Sequence, residues 1–183
     1  VVDVEEVKAL QANSRCLHDK ADIDAALDRM AADISKEYAD KAPVFLCVML
    51  GSLIPLAELV QRLNFPLQID YIHVTRYQGK IRAGDLHWIA EPRMDLKDRH
   101  VVVVEDVLDG GLTLSSIVDY CKQVKVASVK TAVVVDKQRP REPGALEKAD
   151  FVGLEVPNLF LYGYGMDYEG YLRNIPGIYA VNE

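Results

Sequence analysis

VVVVEDVLDGGLTL, residues 101–114, is the stretch on which the fold turns. Four consecutive β-branched apolar residues leave no polar face, the pattern of a strand covered on both sides in a parallel sheet. Two acids follow, then Val107 and Leu108, a third acid, and Gly110-Gly111. From residue 113 to 120 the chain can run as a helix. Strand, glycine turn and helix N-terminus are the geometry that holds a phosphate on backbone N–H groups. Three carboxylates beside a phosphate loop therefore need another task. The plain alternative is a buried strand ending in a solvated acidic turn, with Glu105 and Asp106 serving a helix end.

Outward from this stretch the same alternation recurs. Residues 44–50 (VFLCVML) are a continuous apolar run ending at Gly51-Ser52, followed at 53–63 by helical spacing with Pro55 in the first turn. Residues 21–38 carry Ile23, Leu27, Met30, Ile34 and Tyr38 at three- and four-residue steps, one apolar helix face, with Asp22 as the expected N-cap. Residues 67–74, 129–135 and 151–156 are further strand candidates. Strands apolar on both faces and alternating with helices indicate an α/β fold, a central parallel sheet flanked by helices. The polar stretch 76–99, with Gly79, Gly84 and Pro92, is expected to include a long mobile excursion.

Composition bounds the function. A chain of 183 residues fits one domain with a real core. A net charge of −7 argues against general nucleic-acid binding, which requires a basic face. No 18-residue apolar run and no signal-like leader stand out, so neither a membrane span nor secretion is expected. Cys16, Cys47 and Cys121 are widely spaced and odd in number, which suits buried thiols of a cytoplasmic protein better than a disulfide framework or a zinc site. Residues 160–171 (FLYGYGMDYEGY) are rich in aromatics and glycines, so they either pack across a sheet edge or frame a flat slot for a planar ligand.

Together these stretches resemble the hypoxanthine-guanine phosphoribosyltransferases, a branch of the type I phosphoribosyltransferases. The family signature is a strand ending in two acids, two apolar residues, an acid, a small residue, Gly, any residue and Thr; here it is Glu105-Asp106-Val107-Leu108-Asp109-Gly110-Gly111-Leu112-Thr113. Lys137 at the end of a strand, Phe160-Leu161 before Gly163, and Asp167-Tyr168 ahead of Arg173 follow in the purine branch's order and spacing. The likeness runs from the N-terminal helices to Ile178. It implies one phosphoribosyltransferase domain, with a core of about 40–150 and a small hood from about 1–20 and 151–183. It also implies purine salvage: phosphoribosyl pyrophosphate and a 6-oxopurine (hypoxanthine or guanine) give the nucleotide and pyrophosphate, with Mg²⁺ as cofactor.

The resemblance assigns each candidate residue a task. The 5′-phosphate would lie on the N–H groups of Asp109, Gly110, Gly111, Leu112 and Thr113, helped by the Thr113 hydroxyl. Glu105 and Asp106 would face the ribose hydroxyls, directly or through Mg²⁺. Asp109 is the candidate general base near the purine N7. Lys137 would donate to the purine O6, Phe160 would stack on the base, and the Leu161 backbone would bond its pyrimidine edge. Asp167 would hold a second Mg²⁺, and Arg173 would contact pyrophosphate oxygens with its guanidinium fork. The bland alternatives are a surface lysine at Lys137, core packing at Phe160, and an inconsequential exposed charge pair at Asp167 and Arg173, since i, i+6 residues do not meet on a helix.

The chain departs from the pattern in three places. Leu50 stands where many relatives carry Lys in the pyrophosphate loop Leu50-Gly51, often after a non-proline cis bond. Arg76-Tyr77 stands where relatives usually carry Ser-Tyr, and Arg76 is expected to offset the charge that Leu50 lacks. Gly110 stands where Thr is commoner, so weaker phosphate binding is expected. The competing class is a regulator that keeps this fold to sense phosphoribosyl pyrophosphate or nucleotides. The acidic balance and the lack of room for a DNA-binding module before residue 44 speak against it. Hypoxanthine, guanine and xanthine are not separated by residue identities, and a homodimer or homotetramer follows from the resemblance alone.

Overall fold

The computed structural model describes residues 3–76 and 86–182, with the side chains of Arg76 and Leu86 outside the description. Tyr77 and the Arg76 side chain, both expected at the pyrophosphate, thus lie outside the described residues. The elements run α1 (Val4–Ala12), β1 (Ser14–His18), α2 (Lys20–Tyr38), β2 (Val44–Val48), α3 (Leu53–Val60), β3 (Gln68–Arg76) and β4 (Leu86–Ala90). They continue with β5 (His100–Leu108), α4 (Leu112–Gln123), β6 (Ser128–Gln138), β7 (Phe151–Pro157), β8 (Leu161–Tyr162) and β9 (Ile178–Val181).

The large sheet has the order β4-β3-β2-β5-β6-β7, parallel from β3 to β7, with β4 added antiparallel at one edge. The four valines of the opening stretch lie on β5 at its centre and are at most 1% exposed. Their alternation divides the core. Val102 and Val104 join α2 and α3 residues such as Ile23, Leu27 and Leu56, while Val101 and Val103 join Leu114 and Ile117 of α4. Burying a valine fully is worth about 1.5–3 kcal/mol, so both faces of β5 contribute to anchoring the loop that follows it.

Several elements differ from expectation for local reasons. The α2 N-cap is Asp19, whose carboxylate accepts the Asp22 N–H at 3.0 Å, because the helix begins one residue earlier, at Lys20. Asp22 thus lies in the first turn. Part of the 76–99 stretch is β4, whose pairing with β3 is antiparallel. Phe151–Pro157 joins the large sheet beside β6, so the C-terminal part of the hood starts beyond it. The hood itself is the small antiparallel sheet β1-β9-β8, which brings both ends of the chain together. Cys16 lies on its edge strand and is exposed, whereas Cys47 and Cys121 are buried in the main core. Among the described residues no helix is long and apolar enough to cross a membrane.

Candidate active site

β5 does not stop at the valines. It continues through Glu105 and Asp106 to Leu108, paired with β6 as far as Leu108 opposite Asp136. The acids thus sit at the carboxyl end of a central strand, where open α/β sheets place their ligands. Asp106 accepts the Val107 N–H on Oδ1 at 2.9 Å. Burial raises its carboxyl to about 6, against the opposing pull of that hydrogen bond and of the Arg173 charge; Asp167 raises it further.

Two glycines bring other loops onto this acid. A Cβ at Gly51 would land on the Asp106 carboxylate, so only glycine lets the β2–α3 turn approach it. The Gly51 carbonyl in turn abuts Gly165, at φ +104°, whose own Cβ would strike that oxygen. Three loops therefore converge: the turn after β2, the end of β5 and the turn after β8. The Met49–Leu50 bond in the first of these is cis.

The glycine loop forms as its sequence implies. Gly111 is the N-cap of α4 at φ +84°, and the helix opens with no acidic residue in its first turn. The first amides of a helix have no partner within it, which leaves them for an anion. Gly110 and Gly111 are buried beneath the turn 142–146: the Glu142 N–H donates to the Gly110 carbonyl at 3.0 Å, and the Leu146 carbonyl lies 2.7 Å from where a Gly111 Cβ would be.

Asp109 lies between two cations, with Lys137 Nζ at 3.5 Å from Oδ2 and Arg139 Nη1 at 2.9 Å from Oδ1. Lys137 is thus no free surface lysine; it is nearly buried at the end of β6 and points at the acid of the signature. Sequence reasoning gave neither Arg139 nor Arg141 a place in the site. Arg141 pairs with buried Asp136 and donates to the carbonyls of Asp109 at 2.9 Å and Lys137 at 2.8 Å, so it ties the ends of β5 and β6 together. A basic residue four positions after Lys137 was the only signal available.

Asp167 and Arg173 meet because the chain between them turns rather than coils. Arg173 Nη2 lies 2.6 Å from Asp167 Oδ1, Arg173 Nη1 donates to the Gly165 carbonyl at 2.6 Å, and the Gly170 N–H donates to Asp167 Oδ2. Phe160 is 52% exposed and edge-on to Tyr168, with ring centroids 5.8 Å apart, so core packing does not describe it. Leu161 is buried on β8 opposite Ala180. Among the described residues no three His, Cys, Asp or Glu side chains form a metal cage, and Glu105, Asp106 and Asp167 do not form one.

The acid-ended strand, its phosphate-type loop and the facing cations define a class that comparison with known proteins identifies. The model of the phosphoribosyl transferase domain matches residues 15–169, and the chain belongs to that family. Its relatives there carry purine bases in their names. The hypoxanthine-guanine-xanthine phosphoribosyltransferase of Tritrichomonas foetus is 32% identical over 169 residues, 92% of each chain. The hypoxanthine-guanine phosphoribosyltransferase of Streptococcus pneumoniae is 35% identical over 167 residues, 91% of each. The solved structure of a hypoxanthine phosphoribosyltransferase from Staphylococcus aureus superposes with a TM-score of 0.88 at 28% identity, covering 100% of this chain and 97% of that one. The fold is accordingly that of the type I phosphoribosyltransferases.

Proposed function

We propose that this chain is a cytoplasmic purine-salvage enzyme that transfers the 5-phosphoribosyl group from phosphoribosyl pyrophosphate to hypoxanthine or guanine, giving IMP or GMP and pyrophosphate. The observation that carries it is the pairing of Asp109 with Lys137 directly behind the glycine loop. One strand end thus offers amides for the phosphate of the sugar and a carboxylate and ammonium for the base. The regulator reading gains nothing, because the relatives named above are transferases. In this reading the enzyme works as a homodimer or homotetramer.

The reaction breaks the bond from the anomeric carbon to the pyrophosphate oxygen and forms one to the purine N9. The 5′-phosphate lies on the amides of Asp109, Gly110, Gly111, Leu112 and Thr113, with the Thr113 hydroxyl. Glu105 and Asp106 face the ribose hydroxyls. Lys137 donates to O6, Phe160 stacks on the ring and the Leu161 backbone bonds the pyrimidine edge. As N9 attacks, Asp109 accepts the proton leaving N7. The amides of Leu50-Gly51, with Arg76, Tyr77 and Arg173, hold the leaving pyrophosphate, and the Arg173 fork neutralises the charge that develops on it.

A divalent cation fits this donor set. The Asp106 carboxyl, whose proton affinity is raised by burial, is incompletely compensated by the protein around it. All the donors are hard oxygens, and Mg²⁺ characteristically takes one or two carboxylates and completes its shell with water and substrate oxygens, so no closed protein cage is needed. Glu105 and Asp106 would hold one ion at the ribose, and Asp167 a second at the pyrophosphate. When bound, Mg²⁺ supplies positive charge to the leaving group.

The test is a pyrophosphate-release assay with Mg²⁺ and phosphoribosyl pyrophosphate, run with hypoxanthine, guanine, xanthine and adenine in parallel. Release with hypoxanthine and guanine is expected. No release with any base would overturn the proposal.

A further inference from the structure

The two cations beside Asp109 do not hold it alike. Arg139 Nη1 donates to Oδ1 at 2.9 Å, the length of a full hydrogen bond. Lys137 Nζ stands 3.5 Å from Oδ2, short of the roughly 2.7–2.9 Å contact of an ammonium closed onto a carboxylate. The stem of Arg139 is fixed. Its N–H donates to the Lys137 carbonyl at 2.9 Å, and Arg141 Nη1 donates to the same carbonyl at 2.8 Å. A tight turn at the end of β6 thus sets where the Arg139 guanidinium reaches.

An ammonium and a carboxylate this close attract each other, and the more so where the lysine is nearly buried. Closing the pair would engage a donor of Lys137 and a lone pair of Asp109, the two groups that a base with an oxygen at C6 needs. A guanidinium on the other carboxylate oxygen opposes that closure, because it shares the acid's charge and orients its plane. We propose that Arg139 is a positioning residue that holds Asp109 back from Lys137, keeps the ammonium available to a C6 oxygen, and so sets the preference for 6-oxo over 6-amino purines. The proposal rests on the reading that the base lies at the end of β6.

Calorimetric binding of inosine 5′-monophosphate, which carries the oxygen, and of adenosine 5′-monophosphate, which carries an amino group, tests this without turnover. Arg139→Gln is expected to weaken inosine monophosphate about ten-fold, the scale of one hydrogen bond to a charged group, and to change adenosine monophosphate little, so the preference narrows. Arg139→Lys keeps a cation beside Asp109 and is expected to restore most of the preference. In a Lys137→Ala background, Arg139→Gln is expected to narrow it no further. An unchanged preference in Arg139→Gln would overturn the proposal, as would equal weakening of both nucleotides or the same narrowing in the absence of Lys137. Should the unsubstituted protein bind the two nucleotides alike, and Lys137→Ala alter neither, the placement of the base at this strand end is refuted and the proposal with it. Absence of pyrophosphate release with every base would refute the transferase reading alone, since the binding comparison stands without it.

Discussion

Replacing Asp106 with Asn removes one titration from the centre of the site. The carboxyl is raised from an ordinary 3.8 to about 6, chiefly by burial. The folded protein then holds the proton more tightly than the unfolded chain does. The stability this contributes is fully present below about pH 3.8 and is lost as pH rises through about 6. At about 1.4 kcal/mol per pKa unit, the whole effect is roughly 3 kcal/mol. That is an upper figure, because the residue keeps some accessibility. Asn has no such titration, and its amide oxygen can still accept the Val107 N–H. The assay is urea unfolding of both proteins in chelator-containing buffer across this range. Taking the difference between the two cancels every other titrating group. The Asn variant is expected to gain about 2–3 kcal/mol relative to the parent between pH 4 and pH 7.5. A difference that stays flat over that range would refute the argument that burial governs this carboxyl.

Two further outcomes address the chemistry. Asp109→Asn leaves Lys137 and Arg139 facing a neutral amide, and turnover should fall about 100-fold or more while nucleotide affinity falls much less; near-normal turnover in single-turnover kinetics would remove Asp109 as the base. Phe160→Ala removes a ring that is half exposed, so the melting temperature should hardly move while the KM for the purine rises about five-fold or more, the scale of base–aromatic stacking. A lowered melting temperature with an unchanged KM would make the ring a packing residue instead.

What could be read from the sequence was whatever depends on local pattern. The valine run, the glycine loop and the α4 start follow from apolar alternation and from the conformational freedom of Gly111 at φ +84°. The Asp19 cap of α2 was legible in kind but misplaced by three residues, because Asp19 and Asp22 both precede an apolar face and the bond to the Asp22 amide decides between them. Asp167 and Arg173 were both legible as site residues but their direct contact was not, since helical i, i+6 spacing keeps residues apart and does not apply where residues such as Tyr164, Glu169 and Leu172 adopt positive φ. Arg139 and Arg141 could not be placed, since an arginine near a strand end reads the same whether it meets solvent or an acid. Long-range approach was equally hidden. Nothing in the letters at 51, 106 and 165 says that they touch.

Those hidden contacts also answer why three acids border a loop built for an anion. Asp106, on the strand that leads into the loop, has its carboxylate against Gly51 of the β2–α3 turn. Asp109, nearest to the loop, is compensated by Lys137 and Arg139. One acid is thus engaged at a neighbouring turn and another by ion pairing.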